Sequence, residues 1–324
     1  MLWDAVRDLI GTRGRFVIAT HVHADGDGLG SQLALCRFLR ARGKAVRVIN
    51  VDPPPPNCAF VAPPDVMEIY DPAIHDAVLG EAEVIFLLDN SSAHRLGGML
   101  GAIQRSPALK VCIDHHPHPD TTWDVMVIDE AASATGEMIH GLIVEMNGGI
   151  PPEVAEPLYV AISTDTGHFR FSNTSAAVLR ICAGLLEKGV DVPSVYQALY
   201  ESNSAAFTRL LGAALTSLRL ERDGRLGYLV VTRETARSVG AESEDTSDIV
   251  NHVLGIGGTR VALLFKELEG ARTKVSLRSK GTIDVSEVAG RLGGGGHRNA
   301  SGIVMNAPLG EAMERVLAEV RRLV

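Results

Sequence analysis

Three apolar runs in the first third of this chain each stop at acids or histidines. Phe16-Val17-Ile18-Ala19-Thr20 leads into His21, with Asp25 and Asp27 close behind. Val84-Ile85-Phe86-Leu87-Leu88 leads into Asp89, and Leu109-Lys110-Val111-Cys112-Ile113 into Asp114-His115-His116. Short apolar runs separated by helix-period stretches read as buried parallel strands. In an open parallel sheet, ligands bind beyond the carboxyl ends of the strands. The pattern therefore predicts one rim supplied with carboxylates and imidazoles by three strands. Carboxylates gathered in one place repel one another and resist ionising. Divalent cations are the usual remedy.

The first 130 residues alternate strand and helix, with strands expected near 15–21, 45–51, 83–89, 109–114 and 124–129. Between the first two, Leu33, Leu35, Phe38 and Leu39 recur at helical spacing, which predicts a helix from Ser31 to Arg42 with Gly43 as its C-cap. Gly28 and Gly30 precede that helix in this reading, with Ser31 at its start. Pro53 to Pro56 predict a stiff loop without helix or ladder potential. Helices are expected near 133–147 and 152–163, the second ending at Thr164-Asp165-Thr166-Gly167. Asn173-Thr174-Ser175 caps a helix over Ala176–Leu186, and 191–220 reads as helical with breaks. A second α/β pattern follows, with strands near 226–232, 259–267 and 272–279 and helices near 245–254 and 284–291. Four glycines, a short strand and a final helix near 309–323 complete it.

A chain of 324 residues is long enough for two cores. Its 46% hydrophobic and 22% charged residues are those of a globular protein. No apolar run reaches the roughly 18 residues of a membrane span, so no membrane partner is expected. The amphipathic, mixed-charge stretch from Met1 to Gly14 does not read as a signal peptide. The four cysteines are scattered without a CxxC pair, which suits a reducing cytoplasm. A net charge of −8 argues against sequence-independent binding of long duplex nucleic acid.

Each acidic segment also has a structural explanation. His21-x-x-x-Asp25-x-Asp27 fits an acidic turn with helix caps, Asp89 a strand-end cap, and Asp165 a turn. Asp114-His115-His116 at the end of a buried strand is costly unless it binds something. The joint pattern carries the inference. Asp25, Asp27, Asp89 and Asp165 carry four negative charges, which two divalent ions would balance, with His21 and His115 as neutral ligands. Mixed oxygen and imidazole ligands suit manganese, with other first-row ions open, whereas thiolate-rich zinc finds no cysteines suitably placed. Two ions about 3.5–4 Å apart are a device of phosphatases and nucleases.

Bare composition makes Gly293 to Gly296 a flexible linker. The run lies inside a domain, however, and His297, Arg298 and Asn299 follow at once. Backbone N–H groups of Gly294, Gly295 and Gly296 can approach a phosphate closely. Arg298 can add a bidentate contact, and Arg278 is a second candidate. In His168-Phe169-Arg170-Phe171, a ring or Arg170 can lie beside a base, although the phenylalanines equally suit core packing. His23, His75, His94, His118, His140 and His252 read as neighbours, surface residues or satisfied core residues.

His21-x-x-x-Asp25-x-Asp27, Asp89, Asp114-His115-His116 and Asp165 resemble the four motifs of the DHH phosphoesterase superfamily. Gly293-Gly294-Gly295-Gly296-His297-Arg298-Asn299-Ala300-Ser301-Gly302 resembles the glycine-rich signature of the DHH-associated C-terminal domain. The resemblance spans nearly the whole chain and points to the short, stand-alone bifunctional oligoribonuclease and pAp phosphatase group. It implies an α/β fold. A Rossmann-like parallel-sheet domain over 1–190 would carry the metals. A helical connection over 191–220 and a smaller α/β domain over 221–324 would follow, with the site in the cleft between domains. It implies His21 and Asp25 on one ion, Asp27 and His115 on the other, Asp89 bridging them and Asp165 completing the set. Asp114 would orient an imidazole, and His116 would contact phosphate or donate a proton.

The implied activity releases nucleoside monophosphates from very short RNA and removes the 3′-phosphate of adenosine 3′,5′-bisphosphate (pAp). Partners would be short RNA or small nucleotides, and a homodimer is compatible with the chain. Alternatives are a soluble phosphodiesterase for cyclic di-AMP or its linear product, an inorganic pyrophosphatase, and a non-enzymatic nucleotide sensor. A long-strand exonuclease would need more chain and a basic groove.

Overall fold

Alternation within each central strand divides the first core in two. Phe16 and Ile18 of β1 (Arg15–Ala19) face one apolar cluster, while Val17 and Ala19 face the other. In β4 (Val84–Leu88), Val84, Phe86 and Leu88 join the first cluster, and Ile85 and Leu87 the second. A strand buried on both faces needs an uninterrupted apolar run, which is what these segments supply. The computed structural model describes residues 3–117, 119, 123–244 and 246–324, with His297 described through its backbone alone. His118 and the side chain of His297 therefore lie outside the described residues.

The chain forms two units, Met1–Ser202 and Asn203–Val324. In the first, β1, β2 (Ala45–Asn50), β3 (Met67–Ile69), β4, β5 (Leu109–Asp114) and β6 (Val125–Ile128) form one parallel sheet. Their order is 3-2-1-4-5-6. Strand order reverses between β1 and β4, the position where open α/β sheets open a crevice for ligands. The helices are α1 (Asp4–Thr12), α2 (Gly26–Arg40), α3 (Pro72–Glu81), α4 (Leu100–Arg105), α5 (Thr135–Asn147), α6 (Pro152–Asp165), α7 (Ala176–Leu186) and α8 (Val192–Tyr200).

The helix expected from Ser31 instead starts at Gly26, with Asp25 as its N-cap. Three early glycines argue against helix by propensity alone, but packing overrides that preference. A Cβ on Gly30 would stand 2.4 Å from the Pro157 carbonyl oxygen of α6. One on Gly28 would stand 2.7 Å from Thr20 Oγ1, a hydroxyl that donates to Leu88 O. Glycine thus lets α2 lie against both α6 and the end of β1. The proline loop is also shorter than expected, because Pro56 opens a 3-10 helix, Pro56–Val61. Proline suits the first turn, where its missing N–H has no partner to lose.

The second unit holds α9 (Ala205–Thr216), β7 (Arg219–Glu221), β8 (Leu226–Val231), α10 (Arg233–Ser238), α11 (Ile249–Leu254), β9 (Val261–Leu268), β10 (Arg272–Ser279), α12 (Ser286–Arg291), β11 (Gly295–His297), β12 (Ala300–Met305) and α13 (Leu309–Val320). Its sheet runs β11-β12-β10-β9-β8-β7, with β8 and β9 parallel and the other pairs antiparallel. Residues 219–220, expected at the end of a broken helix, pair instead with β8. Gly295 and Gly296 belong to a strand paired with Gly302 and Ser301, so half of the glycine run is ladder. A Cβ on Gly294 would meet Gly302 O at 2.2 Å, a close approach that glycine alone allows.

Candidate metal centre

Carboxylates and imidazoles from β1, β4, β5, α2 and α6 meet beyond the strand ends. His21 leaves β1 and lies 3.2 Å from Asp89 Oδ2 through its Nε2. Asp89 leaves β4 with φ of 56°, a left-handed conformation that costs a non-glycine residue energy and concentrates at functional sites. His115 leaves β5, and its Nε2 is 3.6 Å from Asp89 Oδ1, 3.7 Å from Asp27 Oδ2 and 3.6 Å from Asp165 Oδ2. Three sets have ligand atoms mutually within 4.8 Å: His21, Asp25 and Asp89; Asp27, His115 and Asp165; and Asp89, His115 and His116.

The surrounding backbone holds these groups. Asp25 caps α2 by accepting from the N–H groups of Asp27 and Gly28. Asp27 is buried at the N-terminus of α5, where Thr135 N donates to Oδ2 at 2.7 Å and Gly136 N to Oδ1 at 2.8 Å. Positive helix ends favour carboxylates there. Ser31 Oγ adds a bond to Asp27 Oδ1, and Thr135 Oγ1 donates to Asp89 Oδ1. Asp114 Oδ1 accepts from the His115 and His116 N–H groups and from His116 Nδ1 at 2.7 Å. The imidazole Asp114 orients is therefore that of His116.

The residues fit divalent ions by an internal test. His21 Nδ1 donates to Val22 O at 2.8 Å, and His115 Nδ1 to Ala132 O at 3.3 Å. A carbonyl only accepts, so each neutral ring carries its proton on Nδ1. Each Nε2 lone pair then faces carboxylate oxygens, a repulsive arrangement unless a cation or proton lies between. His115 Nε2 is buried without a hydrogen-bond partner. Outward ring nitrogens tied to carbonyls are the usual support of metal-ligating histidines.

Electrostatics agree. Burial, reinforced by Asp27 and Asp25, holds Asp89 well above the usual carboxylate range. Burial and Asp27 push Asp165 up to about 8, and burial raises Asp27. Asp25, exposed at the rim, lies below its ordinary value because His21 and the N–H groups of Gly28 and Asp27 favour its charged form. Desolvation is outweighed at Asp114, held down to about 2 by its bonds to His116. His116 is raised against desolvation by Asp114 and Asp89, and burial lowers His21.

The sequence reading omits Arg95, whose charge acts on His21, Asp25 and His116. It lies in a 3-10 segment after β4, Ala93–Met99, and no spacing pattern marks it. Thr135 and Gly136 carry no pattern of their own either; only the start of a helix, which leaves its first N–H groups free, marks their place.

Of the remaining candidates, Arg298 is 63% exposed, with Nε 3.6 Å from Asp284 Oδ2. Arg278 Nη1 donates to Leu277 O. Asn299 Nδ2 donates to Ser279 Oγ, Gly281 O and Ile283 O, tying its amide to the 279–283 loop. Arg170 is exposed beside Phe171.

A 3-2-1-4-5-6 sheet with carboxylates and imidazoles at its switch point, followed by a mixed-sheet unit, defines a two-unit α/β protein with a candidate metal centre in its first unit. Residues 15–162 match the family model for the DHH family, N-terminal domain, and residues 226–324 match the DHHA1 domain. The chain belongs to the DHH phosphoesterase family, hydrolases acting on phosphoester bonds. It is 34% identical to the bifunctional oligoribonuclease and PAP phosphatase NrnA of Thermus thermophilus, over 98% of this chain and 94% of that one. A crystal structure of an exopolyphosphatase-related protein from Bacteroides fragilis covers 99% of this chain and 97% of its own at 29% identity, with TM-score 0.94. RecJ of Thermus thermophilus, solved in complex with Mn2+, shares the fold at TM-score 0.56 and 14% identity, over 99% of this chain and 54% of that one. No helix among the described residues is long and apolar enough to cross a membrane.

Proposed function

We propose that this chain hydrolyses short oligoribonucleotides to nucleoside monophosphates and removes the 3′-phosphate of pAp, using two divalent ions, manganese foremost. The observation that carries the reading is Asp89. One of its oxygens faces His21 and the other faces His115, so a single carboxylate serves both ligand sets. The Thermus thermophilus relative's name supplies the substrate class.

In this reading His21, Asp25 and Asp89 hold one ion, and Asp27, His115, Asp165 and Asp89 the other. Bound ions would supply Lewis acidity toward a phosphoryl oxygen and lower the pKa of the attacking water. Asp114 fixes the His116 ring through Nδ1 and keeps it protonated to higher pH than a free imidazole. His116 then donates a proton to the departing oxygen. Arg95 compensates phosphate charge beside the cluster, and Gly294, Gly295, Gly296, His297, Arg298, Asn299, Arg278 and Arg170 contribute substrate contacts.

A parallel turnover screen with manganese tests this. It compares di- to pentaribonucleotides, a 20-mer, pAp, cyclic di-AMP, cyclic di-GMP and pyrophosphate. Turnover should be high for the shortest RNAs and pAp and fall steeply toward the 20-mer. Preference for cyclic di-AMP or pyrophosphate, or equal rates along the length series, would overturn the assignment.

A further inference from the structure

The metal centre accounts for phosphate but not for a base. A cluster of rings on the first unit begins three residues beyond Asp165 in the chain. After Asp165 closes α6, the chain reverses, and His168 and Phe169 follow with φ of 57° and 64°. Two successive non-glycine residues in the left-handed region are uncommon. The reversal sends Phe169 toward Tyr159, with ring centroids 6.0 Å apart. It sends His168 toward α8, 5.0 Å from Tyr196 and 5.8 Å from Tyr200. Those tyrosines are neighbours at i and i+4 on one helix face, 5.0 Å apart. They remain 38% and 37% exposed.

Two chain segments tie this patch to the centre. His168 is three residues beyond Asp165, whose carboxylate lies 3.6 Å from His115. On its other side, α8 is fastened to the 3-10 helix Pro56–Val61, where Asn57 Nδ2 donates to Leu199 O at 3.1 Å. Within that same helix, Cys58 is close enough to Asp25 to feel its charge. Arg170, two residues beyond His168 in the chain, holds its guanidinium 5.2 Å from the centroid of the exposed Phe171 ring. Amphipathic rings with a cation close by in the chain suit a nucleotide, which presents a flat base and an anionic backbone together.

We propose that His168, Tyr196 and Tyr200 form a stacking shelf for a nucleobase of the substrate whose phosphate occupies the metal centre. The inference rests on the oligonucleotide reading above. Every base has a π-face, so a shelf of this kind binds any short sequence without reading its edges. It also favours a substrate that carries a base over bare pyrophosphate or polyphosphate.

The test uses Tyr196→Leu, Tyr200→Leu and the double variant, which keep apolar bulk on α8. Manganese-dependent kcat/KM is measured on diadenylate and on an abasic diribonucleotide with the same backbone. Loss of a stacked base lowers kcat/KM on diadenylate by about five- to hundredfold, by the usual range for one base on an aromatic ring. The abasic analogue should be turned over at the unaltered rate. An unchanged rate on diadenylate, or equal losses on both substrates, overturns the shelf. Sedimentation decides whether equal losses come from a protomer interface, seen as a shift toward monomer. Titration with AMP keeps the two readings apart. Wild-type protein inactive on every oligoribonucleotide would sink the activity, while weaker AMP binding by the double variant would still support the shelf, and unchanged AMP binding would count against it.

Discussion

His21 Nε2 lies 3.2 Å from Asp89 Oδ2, across the two strands where the order of the parallel sheet reverses. Neither group gains from that approach as a neutral imidazole and a carboxylate, since lone pair faces lone pair. The contact is favourable only with a positive charge between them. Asp89 repeats the arrangement with His115 through its other oxygen.

Asp89→Asn should therefore remove more than one ion. Asparagine keeps the shape and tolerates positive φ, so folding should survive. Metal content by plasma mass spectrometry should drop by more than one equivalent. Turnover should fall by more than about a hundredfold, beyond the loss typical of groups that merely orient ligands. Near-wild-type turnover would refute the shared ligand.

Stability of the metal-free protein should fall between pH 6.5 and 8.5. Asp165 is raised from 3.8 to about 8, so its contribution is full below its unfolded value and is lost as pH rises through about 8. His115 and His116 are also raised, and their contributions are lost in the same direction. His21 is lowered, so its contribution is lost as pH falls below 6.5, outside this window. Asp114, lowered to about 2, acts only in strong acid. Scanning fluorimetry in EDTA should show Tm declining across the window, with a smaller decline in manganese. A metal-free Tm that rises with pH would contradict the crowded-carboxylate picture.

Gly30→Ala should destabilise, although alanine favours helix by about 1 kcal/mol. Its Cβ would press on the Pro157 carbonyl and the Ala161 amide, neither of which is a flexible side-chain end. Overpacking of this kind costs about 1–3 kcal/mol. Urea unfolding measures the balance. Metal affinity should drop as well, because α2 carries Asp27 and α6 carries Asp165. A more stable variant would show that the two helices have room to separate.

Arg298→Ala should separate substrate handling from metal binding. Its exposed pairing with Asp284 contributes little to folding. Metal content should be unchanged, and kcat/KM should fall about ten- to a hundredfold through loss of a charge-assisted phosphate bond. The loss should be larger for substrates with a free terminal phosphate than for a phenyl phosphodiester. Stripped metals, or equal losses on both, would make the glycine-rich segment scaffold.

Much of this protein is legible in its sequence because strand periodicity is local. The runs ending at His21, Asp89 and Asp114 announce their strands, and a parallel sheet sends all three ends to one rim. The cap at Ser175 is equally local, with Oγ accepting from Val178 N. What only the tertiary structure decided depends on neighbours distant in sequence. Helix α2 begins at Gly26 because α6 and β1 press against glycines that propensity alone would leave in a loop. Asp27 keeps its place through N–H groups more than a hundred residues away. Arg95 lends its charge to the cluster from a segment with no periodic signal, and Asn299 turns its amide to a loop of its own unit. A residue's type is fixed along the chain, but which lone pairs, N–H groups and charges surround it is set by packing.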